Sequence, residues 1–217
     1  MFWNLLLAHF TADFVLQTDW MVRNRHKLWV LSLHAATHLL MMVLMAGPSR
    51  TAIWPYLLLI ALIHLSQDRY KIYLTNQRPD LTVTLFLIDQ ALHYALLGAV
   101  VWRLRQTLGS LPISEKPVLA LIAIAYLFVT FVWFISERIF NLTNTEYLKD
   151  LNETKISRMM VRAGLVSLFV LVRTWILPAA ASIVTNPYQP SKYRRQAILT
   201  DLSVSAIAII FLVWALG

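Results

Sequence analysis

The sequence predicts an all-α, polytopic membrane helical bundle of about seven transmembrane helices, the first four forming a tandem hairpin repeat. Three observations predict it. Of the 217 residues, 59% are hydrophobic and only 14% charged, whereas a water-soluble domain carries about a quarter charged. The apolar residues gather into long runs separated by short polar breaks. Inside the first four runs, histidine and aspartate recur four residues apart.

A spanning helix needs roughly 17 to 25 mostly apolar residues, and the runs fall at 2–18, 28–46, 52–74, 82–104, 117–136, 158–184 and 197–216. The first contains His9 and Asp13 and lacks both a basic leader and a small-residue cleavage site, so it reads as a retained helix and not as a cleaved signal. Arg23, Asn24 and Arg25 end the first loop, Gly47 and Pro48 the second, and Asn76 and Pro79 bracket the third. Gly109 and Pro112 mark the fourth break, the polar stretch 141–155 the fifth, and Asn186 and Pro190 the sixth. Links this short place successive helices antiparallel. Trp3, Trp20, Trp29, Trp54 and Trp102 fall near run ends, where an aromatic belt belongs. The chain therefore reads as a single membrane domain over 1–217, with a metal-binding four-helix repeat at 1–106 and accessory helices at 107–217.

Net charge is +8. Counted by alternate loops, eleven Lys and Arg lie on the side of the 23–27, 69–78 and 138–162 stretches and seven on the other, with Arg173 left out as part of a run. The positive-inside rule then puts the first, third and fifth loops in the cytoplasm and the N-terminus outside, in a bacterial inner membrane. No alternation of basic and aromatic residues suggests nucleic acid as a partner; the lipid bilayer is the expected one. Oligomeric state is not readable. There is no cysteine, so a metal here must be held by nitrogen and oxygen.

The candidate site is the set of four pairs His9 and Asp13, His34 and His38, His64 and Asp68, Asp89 and His93. Residues four apart share one helix face. One such pair alone reads as a buried histidine satisfied by a nearby carboxylate. Six His and seven Asp placed at random give fewer than about one pair at that spacing, and here each of four consecutive runs carries one. The spacings repeat as well: a shift of 55 maps His9, Asp13, His34 and His38 onto His64, Asp68, Asp89 and His93, preserving three of four residue types. This is the signature of a parallel repeat about an axis along the membrane normal. Each pair lies at the same depth, within roughly 20 Å of the cytoplasmic turn at 1.5 Å per residue.

Ionisable side chains in a span face the bundle interior and pair there. Carboxylate and imidazole ligands on facing helices are a known way to hold paired metals in bundles. Five His and three Asp suit zinc first, with manganese or iron as alternatives, and eight ligands suggest two ions. Two ions about 3.5 to 4 Å apart activate water and clamp a phosphoryl group. The function expected is thus a metal-dependent hydrolase of a phosphoester or lipid-borne substrate. Its candidate catalytic residues are Asp13 and Asp68, with Lys71 and Arg173 to stabilise developing negative charge. Lys71, at i+7 from His64, and Gln17, on the face of His9 and Asp13, are candidates to orient ligands or substrate, or else a snorkelling lysine and a polar helix end. Arg173 is also a candidate partner for Asp201. His26 reads as a solvated loop residue, and the mixed-charge stretch 137–162 as a cytoplasmic amphipathic connector. The rival functions are a metal or proton transporter and a membrane di-iron oxygenase, although the latter normally uses more histidine.

Residues 5–21, LLLAHFTADFVLQTDWM, with His34-Ala-Ala-Thr-His38 and the run from His64 through Asp68 to Lys71, resemble a bacterial integral membrane family of unknown function that opens on H-x3-D-F-x-x-Q. The resemblance covers about the first hundred residues; after Asn141 the chain departs from the Gly- and Glu-containing helix that often follows in that family. In pattern it is also similar to bacterial membrane-bound metal-dependent hydrolases, which share intramembrane His and Asp pairs. That likeness implies metal-dependent hydrolysis.

Overall fold

Long runs of Leu, Ala, Ile and Met with Gly and Pro at their ends favour helix throughout. The computed structural model describes residues 1–108, 117–172 and 192–216, and every element among them is a helix. Helix α1 (Phe2–Phe10) continues into a π-helical turn, Thr11–Leu16, and is followed by α2 (Asp19–Asn24), α3 (Leu28–Ala46), α4 (Arg50–Gln77) and α5 (Thr82–Leu108). Then come α6 (Pro117–Leu127), a second π-helical turn (Phe128–Val132), α7 (Trp133–Phe140), α8 (Thr145–Glu153), α9 (Lys155–Val172) and α10 (Arg194–Leu216).

Four stretches are long and apolar enough to cross a membrane: Leu28–Ala46, Pro79–Leu108, Val118–Phe140 and Arg194–Leu216. They correspond to the second, fourth, fifth and seventh runs. The first run is apolar over Phe2–Leu16 but shorter. It stops because Gln17 is extended (φ −73°, ψ 97°) and the Thr18 hydroxyl accepts from Met21 N at 3.3 Å, starting α2 as an N-cap. The third run is α4, with 28 residues, whose polar positions His64, Gln67, Asp68, Arg69 and Lys71 dilute its apolar character. The sixth is α9 as far as Val172. The rest of that run, including Arg173 and Pro178, and the breaks at Gly109, Pro112, Asn186 and Pro190 lie outside the described residues.

The chain divides into two compact units, Met1–Ala120 and Leu121–Gly217. In the first, α1 packs on α3 and α5, α3 on α4, and α4 on α5, so the four helices close a ring. The α3–α4 link is tight because Gly47 takes φ +58°, a conformation glycine adopts without steric cost. The polarity of this ring is inverted relative to a water-soluble bundle. His34, His38 and His64 are buried while Leu33, Leu40 and Leu62 on the same helices are exposed. Polar inside and apolar outside is the arrangement a lipid solvent favours, since hydrocarbon outside leaves polar groups only the interior in which to find partners.

In the second unit, α9 packs on α10 and on the Phe128–Val132 turn, and α8 packs on α9. Phe134, Tyr147 and Leu151 form its small apolar cluster. The Asn144 side chain caps α8, accepting from Tyr147 N at 3.0 Å.

Candidate metal centre

All eight side chains of the four sequence pairs meet inside the first unit. Each helix of the ring contributes one pair, with His9 on α1, Asp13 on the π-helical turn, His34 and His38 on α3, His64 and Asp68 on α4, and Asp89 and His93 on α5. All are between 2 and 9% exposed. They form three overlapping groups whose ligand atoms lie within 4.8 Å of one another: Asp13 with His34, His38 and His64; His9 with His64 and His93; and Asp68 with Asp89 and His93.

Asp13 is the hub. Its Oδ1 lies 3.1 Å from His34 Nε2, 2.7 Å from His38 Nε2 and 4.0 Å from His64 Nε2, while its Oδ2 lies 3.4 Å from His9 Nε2. A tetrahedral ion with bonds of about 2.0 to 2.1 Å sets its ligand atoms about 3.3 Å apart, and the three distances around Oδ1 bracket that edge. The group Asp13, His34, His38 and His64 therefore fits one tetrahedral ion with three nitrogens and one oxygen. The histidines of the layer as a whole have unfilled capacity. His9 Nε2, His64 Nε2 and both ring nitrogens of His93 are buried without a hydrogen bond, and a buried polar atom in that state is costly. The rings also touch, with centroids 3.8 Å apart for His38 and His64 and 4.3 Å for His64 and His93.

At the other edge of the layer Lys71 Nζ donates to Asp68 Oδ1 at 3.1 Å and to Asp89 Oδ2 at 2.6 Å. Its side chain is 21% exposed against 7% and 3% for the two carboxylates, so it closes the layer where solvent begins. Gln17 Nε2 lies 3.3 Å from His34 Nε2, so the extended residue that ends the π-helical turn reaches back to a ligand. Two partners escaped the sequence reading. Gln90 Nε2 lies 3.5 Å from Asp13 Oδ2 and 3.4 Å from Asp89 Oδ2, and the Tyr94 hydroxyl donates to Gln90 Oε1 at 3.0 Å. By occupying the carbonyl oxygen, Tyr94 fixes the amide with its NH2 toward the carboxylates. Gln90 and Tyr94 are themselves four residues apart, one position after Asp89 and His93, and that spacing was the signal available. Of the remaining candidates, Arg173 lies outside the described residues, and His26 is exposed.

A small cavity of about 10 Å3 lies between His9, His38, Met42, Ile60, His64 and His93. That is room for about one water. Among the described charged residues of the layer, Lys71 is the part-exposed one, at 21%.

In the second unit, α8 buries Tyr147 and Leu151 and exposes Glu146, as an amphipathic connector does, while a separate buried network takes up Glu137, Arg158 and Arg162 at the ends of 137–162. Arg158 and Arg162 are 0% exposed. Arg158 Nη2 donates to Glu137 Oε1 at 2.7 Å and to Asp201 Oδ1 at 2.8 Å, and the Tyr147 hydroxyl donates to Glu137. Arg162 Nε lies 3.7 Å from Asp201. Two guanidinium groups face two carboxylates, a neutral set typical of structural pairing. Asp201 thus has α9 arginines as partners.

Fold and site together define a helical protein with apolar helices of membrane-crossing length and a buried His and Asp cluster that could hold a metal ion. The chain belongs to the family described as Protein of unknown function (DUF3307), whose match covers residues 1–122 and so includes all eight clustered residues. No curated protein and no solved structure matches the chain.

Proposed function

We propose that this chain is an integral protein of the bacterial inner membrane that holds a divalent transition metal, zinc first, between α1, α3, α4 and α5 and hydrolyses a phosphoester or lipid-borne substrate. The observation that carries this reading is the convergence of five histidines and three aspartates from four helices into one buried layer, with imidazole nitrogens left unsatisfied. A bound ion supplies a Lewis acid and a water of lowered pKa. Asp13 and Asp68 compensate its charge and orient the imidazoles around it. Two of the three Lys71 ammonium protons are used by Asp68 and Asp89, which leaves one to meet a substrate anion at the open edge of the layer. A lipid headgroup could approach that edge laterally from the bilayer.

Support for the tandem repeat comes from matched contacts. The distances His9 Nε2 to Asp13 Oδ2 and His64 Nε2 to Asp68 Oδ2 are both 3.4 Å, and these pairs are related by the shift of 55. The same shift relates the α3–α4 packing to the α5–α1 packing, and both occur. Seven spans remain the proposed topology.

The test is elemental analysis of protein purified without chelator, followed by assay against p-nitrophenyl phosphate and against phosphatidic acid in mixed micelles. Retained zinc, manganese or iron, activity lost on chelation and activity restored by re-addition are expected. Metal below about half an equivalent where one tetrahedral ion is expected would overturn the metal reading. A second reading, ion translocation, is favoured by the row of rings His34, His38, His64, His93 and His9, whose successive centroids are 4.7, 3.8, 4.3 and 5.2 Å apart. Retained metal without hydrolysis, together with proton or metal flux in proteoliposomes, would decide for it.

A further inference from the structure

The ligand layer offers more positions than one ion needs, and the contacts already made within it say which are open. The group His9, His64 and His93 shares His64 with the group Asp13, His34, His38 and His64 and brings no carboxylate, so a second ion there would compete for one imidazole. The position of Lys71 closes the third group. Of the three ligand groups, Asp68 with Asp89 and His93 is the one holding two carboxylates, and Lys71 Nζ sits on both of them, 2.6 Å from Asp89 Oδ2. That oxygen is also the one 3.8 Å from His93 Nδ1, so it is the atom an ion shared with His93 would have to use.

We infer that Lys71 is a tethered cation filling the second metal position, so that this protein binds one divalent ion, in the group Asp13, His34, His38 and His64, and not the two that eight ligands suggest. This deepens the metal reading above and rests on it. The Lys71 ammonium neutralises the Asp68 and Asp89 carboxylates as a second ion would, while leaving His93 free to line the cavity. It also fixes the selectivity of the site, since the group left for the ion is nitrogen-rich and suits zinc better than magnesium or calcium.

Full-length protein in detergent is titrated with zinc ions, desalted and analysed for bound metal per folded chain. The wild type should hold about one equivalent. K71R should do the same. K71M removes the tethered charge and leaves two facing carboxylates beside His93, so it should hold about two, and K71M/D89N should return to about one. D89N alone should keep its single equivalent, because Asp89 serves Lys71 and not the ion. Two tight equivalents in the wild type, or a folded K71M that stays at one, would overturn the inference while leaving the metal reading intact. No zinc in the wild type would overturn the metal reading and this inference with it. Should K71M fail to fold, D89N decides: loss of its zinc would make Asp89 a ligand and overturn the assignment.

Discussion

Asp13 accepts from two histidines and approaches two more from one carboxylate, so removing it alters the layer more than removing any other ligand. Asp13→Ala should strip metal from folded protein and abolish hydrolysis, because it deletes the oxygen around which three imidazole nitrogens are gathered. Asp68→Ala should also lower metal content, by leaving His64 without its carboxylate and Lys71 with Asp89 alone. Asp80→Ala is the control, since that carboxylate pairs with Arg78 on the exposed surface. Equal metal occupancy in wild type and Asp13→Ala, measured at matched stability, would make the pairs purely structural. A subtler variant is Gln90→Leu, which removes the amide lying between Asp13 and Asp89. Groups that orient ligands typically contribute 10- to 100-fold in metal affinity, so zinc competition should show a loss of about that size, and Tyr94→Phe a smaller one. An unchanged affinity in Gln90→Leu would remove Gln90 from the site. The ligands themselves were legible in the sequence because spacing of four on a helix is a geometric statement about one face. Gln90 was less so: its spacing of four from Tyr94 was a signal, but it neighbours Asp89 in sequence and so points about a quarter-turn away. Its long amide nevertheless reaches Asp13 Oδ2 at 3.5 Å.

At the level of elements, apolar run length located the helices well, and averaged polar composition hid a buried network at the ends of one stretch. The run at 28–46 coincides with α3, and that at 82–104 lies within α5. The π-helical turns left no trace in the sequence, because a wider turn follows from backbone packing and not from residue type. In 137–162, averaging charge over the stretch hid its organisation. Arg158 and Arg162 are four apart on α9 and face Asp201, an acid within an apolar run, and Glu137 on α7. Opposite charges entering separate apolar helices were the available sign of a buried network. Arg158 holds both carboxylates, so Arg158→Met leaves Glu137 and Asp201 repelling each other with half their compensation gone. Breaking a buried pair in this way costs about 3–5 kcal/mol. A large downward shift in the denaturation midpoint in detergent is expected, with no such shift for Lys192→Ala, whose partner Glu146 lies on the exposed surface. An Arg158→Met midpoint equal to wild type would show that the network contributes nothing to stability.

For the whole molecule, orientation in the bilayer decides which compartment reaches the Lys71 edge of the site, and charge is the only determinant the sequence offers. Eleven basic residues against seven favour a cytoplasmic first loop. The chain has no cysteine, so a single introduced thiol reports its own side without background. His26 lies on the exposed α2–α3 link and Thr51 is exposed at the start of α4, with Leu28–Ala46, a helix of membrane-crossing length, between them. His26→Cys changes no formal charge, and Thr51→Cys changes none either, so neither variant disturbs the asymmetry it measures. In intact cells an impermeant maleimide should label Thr51→Cys and not His26→Cys. Opening the membrane should make His26→Cys reactive. In the proposed seven-span topology α3 and α4 each cross once, so that with the first loop inside the α4–α5 link at Pro79–Leu81 is inside as well. Lys71 then sits on the cytoplasmic half of α4, and the substrate reaches the site from the inner leaflet or the cytosol. Labelling of His26→Cys in intact cells, with Thr51→Cys protected, would reverse the orientation and place that entrance on the outer side. Labelling of both from outside would mean that α3 does not cross, and the membrane topology would have to be redrawn from that helix onward.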